Sequence, residues 1–104
     1  MPTHGGVAKK IQAIEEEMKR IGFYQTEPLR DEQWNFKEAF AMDTMAYQQW
    51  LQFVFIPRVK EIIESNGEFP KTSMVGVQAM REFNGDPNAE KLITMLGEFD
   101  RMFA

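Results

Sequence analysis

Three glutamates, Glu61, Glu64 and Glu68, have the spacing most able to support chemistry, because carboxylates three or four residues apart share one face of a helix. Such a pair can act in acid–base catalysis when burial or mutual repulsion raises the pKa of one member. Here the glutamates fall on the polar side of an amphipathic segment. We therefore interpret them as solvated surface groups and predict no catalytic residue and no enzymatic activity.

The chain offers few ligands for a metal ion or a phosphate group. It has one histidine, His4, beside two glycines, and no cysteine. A structural zinc site takes four Cys or His ligands, and a di-iron site in a helical bundle takes Glu-x-x-His pairs, so the sequence supports neither. It also has no glycine-rich phosphate loop. We predict no metal and no cofactor.

Length and composition predict one well-packed domain over residues 1–104, with residues 1–6 as a flexible tail. A chain of this size buries roughly two-thirds of its unfolded surface. Twelve basic and sixteen acidic residues give a net charge of −4, which argues against autonomous binding of RNA or DNA, because neutralising phosphates takes a basic surface. We see no signal peptide and no membrane-spanning stretch, and expect a soluble cytoplasmic protein.

The elements that must position any functional side chain are helices. Apolar residues recur at steps of three and four over residues 7–21, 45–65, 74–83 and 87–103, and no segment is best explained as a strand. Asp86-Pro87 is a typical start for the last of these helices. The expected fold is all-α, a compact four-helix bundle in which the second helix is the most enclosed.

A long first connection, over residues 23–43, precedes the second helix. Pro28 bars a continuous helix there. Connections longer than about 12–15 residues tend to be functional or to pack tightly on the core. We expect the second outcome, because the connection would otherwise leave three aromatic rings in water, those of Trp34, Phe36 and Phe40.

The second helix has two unusual features. Asp43 or Thr44 is expected to cap its start near Met45, by accepting a hydrogen bond from an unpaired backbone amide. Its apolar residues extend nearly all round, as in a buried helix, and include Trp50 and Phe53. Pro57 lacks a backbone N–H and crowds the preceding turn, so we expect the helix to bend there.

Five residues of this region are candidates for binding a partner. Met, Trp and Arg are enriched at protein interfaces, and an apolar patch rimmed by charge could form here. Each candidate also has a structural explanation: a cap for the aspartate, core packing for the apolar side chains, an ion pair with Glu61 or Glu38 for the arginine. The candidates are Met42, Asp43, Met45, Trp50 and Arg58.

Three stretches of this region form a distinctive pattern: Phe40-Ala41-Met42-Asp43-Thr44-Met45, Trp50-Leu51-Gln52-Phe53-Val54 and Ile56-Pro57-Arg58. The pattern resembles the signature of the YqcC-like family, small bacterial proteins of uncharacterised biochemical function, and the resemblance extends through nearly the whole chain. It implies an all-α bundle. The family's genes often lie beside that of tRNA pseudouridine synthase C, so the resemblance also implies an accessory role in tRNA uridine modification, through binding of that enzyme.

Three functions are therefore open. The first is a non-catalytic protein-interaction module that acts as a partner of a tRNA pseudouridine synthase. The second is a direct RNA-contacting factor, which would use cations such as Arg58, Lys60 and Arg81 and would need a contiguous basic face. The third is a small-ligand-binding domain, which would need a deep enclosed cavity beside Trp50.

Overall fold

The structure is a computed structural model that describes residues 2–103, and all regular secondary structure in that range is helical. Four main helices form the bundle, so the predicted all-α fold is confirmed. They are α1 (His4–Arg20), α2 (residues 47–64), α3 (Val75–Phe83) and α4 (Glu90–Arg101). Short 3-10 turns lie at Asp31–Trp34, Ala39–Ala41 and Pro87–Ala89.

Helix α1 begins at His4, so residues 4–6 of the predicted tail form the first turn of a helix. The hydroxyl of Thr3 accepts a hydrogen bond from the backbone N–H of Gly6 at 2.9 Å and caps the helix. The His4 ring donates from Nε2 to the carbonyl of Gly67 at 2.7 Å and packs on Phe69 with 4.7 Å between ring centroids. The histidine therefore fastens the start of α1 to the end of α2. Met1 lies outside the described residues.

Helix α2 contains a π-helical turn. It is α-helical over Tyr47–Trp50 and Ile56–Glu64, whereas Leu51–Phe55 is π-helical and the backbone N–H of Ile56 donates to the carbonyl of Leu51. Proline and π turns are both common sites of helix distortion. The π turn ends two residues before Pro57, where the sequence predicts a bend.

The core lies between α1, α2 and α4, and α3 packs against α4. Helix α1 contacts both α2 and α4, and Lys10 of α1 forms an ion pair with Glu98 of α4 at 2.7 Å. The central segment of α2 is buried as predicted, except that Phe53 is only partly buried. The most completely buried large side chains are Val7, Ile11, Ile14, Met18, Leu51, Ile56, Leu92 and Leu96.

Helices α3 and α4 are joined at their crossing by a carboxylate. Asp100 of α4 accepts hydrogen bonds from the backbone N–H groups of Val75 at 3.0 Å and Gly76 at 2.8 Å. It also accepts from the hydroxyl of Ser73 at 2.6 Å. These N–H groups belong to the first turn of α3 and have no partner within that helix. Asp100 therefore fixes the start of α3 and the segment before it.

The first connection is held to α2 by glutamines. Gln52, the one polar residue in the apolar stretch of α2, is buried and exchanges two hydrogen bonds with the backbone of Gln25, at 2.9 and 2.7 Å. Phe36 and Phe40 pack against the core as expected. The expectation is wrong for Trp34, which is 49% exposed.

Candidate partner-binding surface

The candidate residues begin in a compact segment, residues 37–45, which we call the motif loop. Two consecutive residues in it, Phe40 and Ala41, have left-handed backbone angles, with φ of +58° and +53°. This conformation is unfavourable for residues other than glycine and is maintained only when the surroundings impose it. The ring of Phe40 packs edge-on against Trp50 at 5.1 Å and Tyr47 at 5.7 Å, and Ala41 is fully buried. The core of the bundle thus imposes the shape of the loop.

Asp43 closes the motif loop and does not cap α2. Its two carboxylate oxygens accept hydrogen bonds from the backbone N–H groups of Lys37 at 3.0 Å and Glu38 at 3.4 Å. The hydrogen bond from Lys37 is the main cause of a pKa below the ordinary value for this aspartate. The prediction that Asp43 or Thr44 caps the helix is therefore wrong. Thr44 instead donates its hydroxyl to the carbonyl of Gln33 at 2.7 Å.

The start of α2 also differs from the prediction, because the fold of the motif loop changes where the helix can begin. The left-handed pair turns the chain before Asp43, and α2 begins at Tyr47, two residues later than expected. The N-cap position is held by Ala46, whose backbone N–H donates to the side-chain oxygen of Gln49 at 2.9 Å. Gln49 therefore supplies the side-chain acceptor at this helix start.

Met42 occupies the exposed tip of the motif loop, beside α3. Its sulfur accepts a weak hydrogen bond from the side-chain amide of Gln78 at 3.5 Å. Helix α3 and its N-cap residue also present large apolar side chains to solvent. We call the resulting exposed set the methionine surface, whose members are each 44% to 64% exposed: Met42, Met74, Val77 and Met80.

The other candidate residues divide between core and surface. Met45 and Trp50 are buried, at 9% and 8% exposure. The Trp50 ring stacks on Tyr47 with 5.6 Å between centroids and on Phe55 with 5.8 Å. These two buried residues cannot form an open patch together with Met42, and Trp50 supports the motif loop through its contact with Phe40.

Arg58 is exposed and lines a groove between α2, the segment before α3 and α4. Among residues 2–103 it forms no ion pair, so the expected pairing with Glu61 or Glu38 is absent there. Trp50 lines the same groove, which is open to solvent and has a volume of ≈ 260 Å³. Sites for small ligands are usually more enclosed and about 300–1,000 Å³ in volume. The groove therefore gives little support to the small-ligand alternative.

One of the cations named for RNA contact is already paired with a carboxylate. Lys60 is paired with Glu15 at 3.1 Å, and Glu15 also accepts a hydrogen bond from the hydroxyl of Tyr24 at 2.9 Å. Burial raises the pKa of Glu15, but the hydrogen bonds from Lys60 and Tyr24 outweigh it and hold that pKa below its ordinary value. With Lys60 paired in this way, one of the three cations named for the RNA alternative is already engaged.

Sequence reasoning missed the outer face of α3. Met74, Val77 and Met80 recur every three residues, a spacing that drifts off the stripe that a helix buries. That drift was a signal that some of these side chains lie outside the core. Within residues 2–103, no helix combines the length and the apolar character that crossing a bilayer requires.

Comparison with known proteins identifies relatives that span most or all of the chain. The family DUF446, described as "tRNA pseudouridine synthase C", matches residues 6–102. An uncharacterised protein of Haemophilus influenzae is 33% identical over 89 residues, which cover 83% of this chain and 81% of that protein. The uncharacterised protein YqcC of Escherichia coli is 28% identical over 105 residues, which cover 100% and 96%. Its solution NMR structure matches with a TM-score of 0.85 and covers 100% of this chain and 90% of that one.

A longer relative is also similar. A protein of Pectobacterium carotovorum subsp. carotovorum named tRNA pseudouridine synthase C is 32% identical over 72 residues. The matched residues make up 69% of this chain but 19% of that protein. Most of the Pectobacterium protein therefore lies outside the similarity.

Proposed function

The chain belongs to the DUF446 family, and we propose that it is a non-catalytic partner of a tRNA pseudouridine synthase. The observation that carries the proposal is the Pectobacterium match, in which a segment like this chain occupies a fifth of a protein named as the synthase. Joining two proteins in one polypeptide raises their effective concentration without new contacts. If the two proteins are separate chains with the same role, a binding surface must replace the covalent link.

The described side chains support a role without catalysis. Glu61, Glu64 and Glu68 are all exposed, as expected of surface groups. Burial raises the pKa of Tyr47 strongly, and its hydroxyl donates to the carbonyl of Val75 at 2.7 Å, so it acts as a structural donor. His4 is engaged at the junction of α1 and α2. On this account the chemistry belongs to the enzyme, and this chain contributes binding.

The methionine surface is the part of the molecule best suited to contact the enzyme. Exposed apolar patches on small proteins commonly mark interaction sites, and methionine adapts its flexible side chain to a partner. The motif loop keeps Met42 exposed through a strained backbone that the core sustains. Such strain is often found where a loop has a function. In this proposal Asp43 contributes to binding indirectly, because it holds the loop that carries Met42.

The proposal can be tested by calorimetric titration of the purified chain with the tRNA pseudouridine synthase of the same organism. Met42→Glu and Met80→Glu should each weaken binding about tenfold or more, ~1.4 kcal/mol, because each places a charge in an apolar contact. Gln12→Glu, on the exposed side of α1, is the matched control and should bind as the wild type does. Thermal unfolding of each variant checks that the fold is intact.

Either of two kinds of result would reject the proposal. The first is a binding result: the wild-type protein does not bind the enzyme, or the Met42→Glu and Met80→Glu variants both bind it as tightly as the wild type does. The other is tight binding of tRNA by the chain alone with a steep dependence on salt, the signature of phosphate contacts. In the second case direct RNA contact would replace the partner role.

A further inference from the structure

The groove at Arg58 borders the methionine surface and has a chemistry of its own. We call it the aromatic groove, because five aromatic side chains line it. Its lining includes Trp50, Phe55, Phe69, Phe99, Phe103 and, as its one charged residue, Arg58. Met74 belongs both to this lining and to the methionine surface. A partner that covers the methionine surface therefore also reaches the groove.

The dimensions of the groove indicate what it can hold. Its volume of ≈ 260 Å³ is below the usual lower limit for a cofactor or drug-sized ligand, about 300 Å³. It is sufficient for one large apolar side chain of a partner protein. Interfaces commonly gain most of their affinity from such a side chain inserted into a preformed pocket.

The charge at the groove indicates what should accompany that side chain. Arg58 has no carboxylate partner among residues 2–103, and no carboxylate lines the groove. A guanidinium beside an apolar wall binds a carboxylate strongly, through two parallel hydrogen bonds. Trp50 also lines the groove and is 8% exposed. An incoming carboxylate would therefore meet, beside this ring, a guanidinium that no described carboxylate occupies.

We propose that the aromatic groove binds a short segment of a partner protein in which a large apolar side chain adjoins an acidic residue. The apolar side chain fills the groove, and the carboxylate of its neighbour pairs with Arg58. That the partner is the synthase rests on the proposed function. The chemistry of the groove does not, and it can be measured separately.

The test uses short acetylated peptides and the NMR signal of the Trp50 indole N–H. Trp34→Phe removes the second indole signal and lies on the exposed part of the connection. The probe peptides carry a glutamate either directly before or directly after a phenylalanine. Two control peptides replace the glutamate by lysine or the phenylalanine by alanine. At least one probe order should shift the Trp50 signal saturably, and both control peptides should bind about tenfold more weakly.

Charge reversal gives the matched pair of protein variants. Arg58→Glu should invert the preference toward the lysine peptide, whereas Arg81→Glu, at another exposed arginine, should leave it unchanged. Overlay of the amide spectra confirms that both variants are folded. The proposal is overturned if neither probe order gives a saturable shift, if the control peptides bind equally well, or if Arg58→Glu keeps the original preference.

Addition of the synthase separates this proposal from the proposed function. If the enzyme displaces the bound peptide, both proposals are supported. If the peptide binds at Arg58 as described, but the enzyme neither binds the protein nor displaces the peptide, the groove proposal is supported and the proposed partner is wrong. If the enzyme binds the protein but no peptide does, the partner role is supported and the groove is not the docking site for the enzyme.

Discussion

Gly76 of α3 and Gly97 of α4 meet backbone to backbone where the two helices cross. A Cβ atom added to Gly76 would lie 2.6 Å from both Cα and N of Gly97. A Cβ atom added to Gly97 would meet only the end of the Arg101 side chain, at 3.8 Å. The contact is therefore one-sided, and two glycines of the same crossing should tolerate a methyl group very differently.

We predict that Gly76→Ala destabilises the protein by about 1–3 kcal/mol or more, because the helices must separate to admit the methyl group. Gly97→Ala should be neutral or up to about 1 kcal/mol more stable, since alanine is the better helix former. Urea unfolding of both variants measures the difference. Equal losses of stability in the two variants would contradict the one-sided contact.

The two tryptophans should also differ in their contribution to stability. Trp50 packs against Phe40, Tyr47 and Phe55, so Trp50→Ala should cost about 3–5 kcal/mol of unfolding free energy, the usual range for a core aromatic. Trp34 is 49% exposed, and Trp34→Ala should cost less than about 1 kcal/mol. Urea titrations followed by circular dichroism avoid dependence on the substituted fluorophore. A loss below about 1 kcal/mol for Trp50→Ala would place that ring outside the core.

Asp43 should make stability depend on pH. Its pKa is lowered in the folded state, mainly by the hydrogen bond from the backbone N–H of Lys37. A group of this kind stabilises the fold fully above its unfolded pKa, about 3.9, and loses that contribution as the pH falls through the lower folded value. Titration of the Asp43 carboxyl carbon by NMR should give a pKa below the ordinary range.

The variant Asp43→Asn supplies the comparison. Its stability should fall less steeply than that of the wild type as the pH drops below about 4, because the substituted side chain does not titrate there. If the two proteins have the same pH dependence, the motif loop is not closed by this carboxylate. Asp43→Ala should additionally weaken binding to the synthase, by releasing the loop that carries Met42.

Asp100 should stabilise α3 from outside that helix. Asp100→Ala removes the acceptor of two backbone N–H groups and of the Ser73 hydroxyl, with an expected cost of about 1–3 kcal/mol. Ser73→Ala leaves both backbone hydrogen bonds in place and should cost less. Hydrogen exchange of the Val75 and Gly76 amides measures the effect locally. Unchanged exchange in Asp100→Ala would exclude the cap.

The sequence specified the helices well because helical periodicity is a local property. The end of the first apolar pattern at residue 21 is confirmed: α1 ends at Arg20, and Gly22 follows with a φ of +79°, which other residues rarely adopt. The predicted cap at Asp86 is also present, its side chain accepting from the backbone N–H of Asn88 at 2.9 Å. In both places the necessary information lies within one turn of the chain.

Features that depend on tertiary packing could not be predicted from the sequence. The left-handed pair at Phe40 and Ala41 has no local signature, because neither residue favours that conformation, and it reversed the role assigned to Asp43. The π turn is hidden by a segment that is apolar nearly all round, since a shift of one residue leaves such a pattern unchanged. Met42 faces solvent and Met45 is buried because of the fold of the motif loop, which the sequence did not predict.

The packing of α1 against α4 has a consequence for how the protein is made. The ion pair between Lys10 and Glu98 joins segments near opposite ends of the chain. The ribosome adds about 5–20 residues per second, so several seconds separate the synthesis of these two helices. During that interval the apolar face of α1 can be covered only by α2, and the part that packs against α4 stays exposed. The bundle can close only after translation of its last helix, and the newly made protein is most open to capture by chaperones until then.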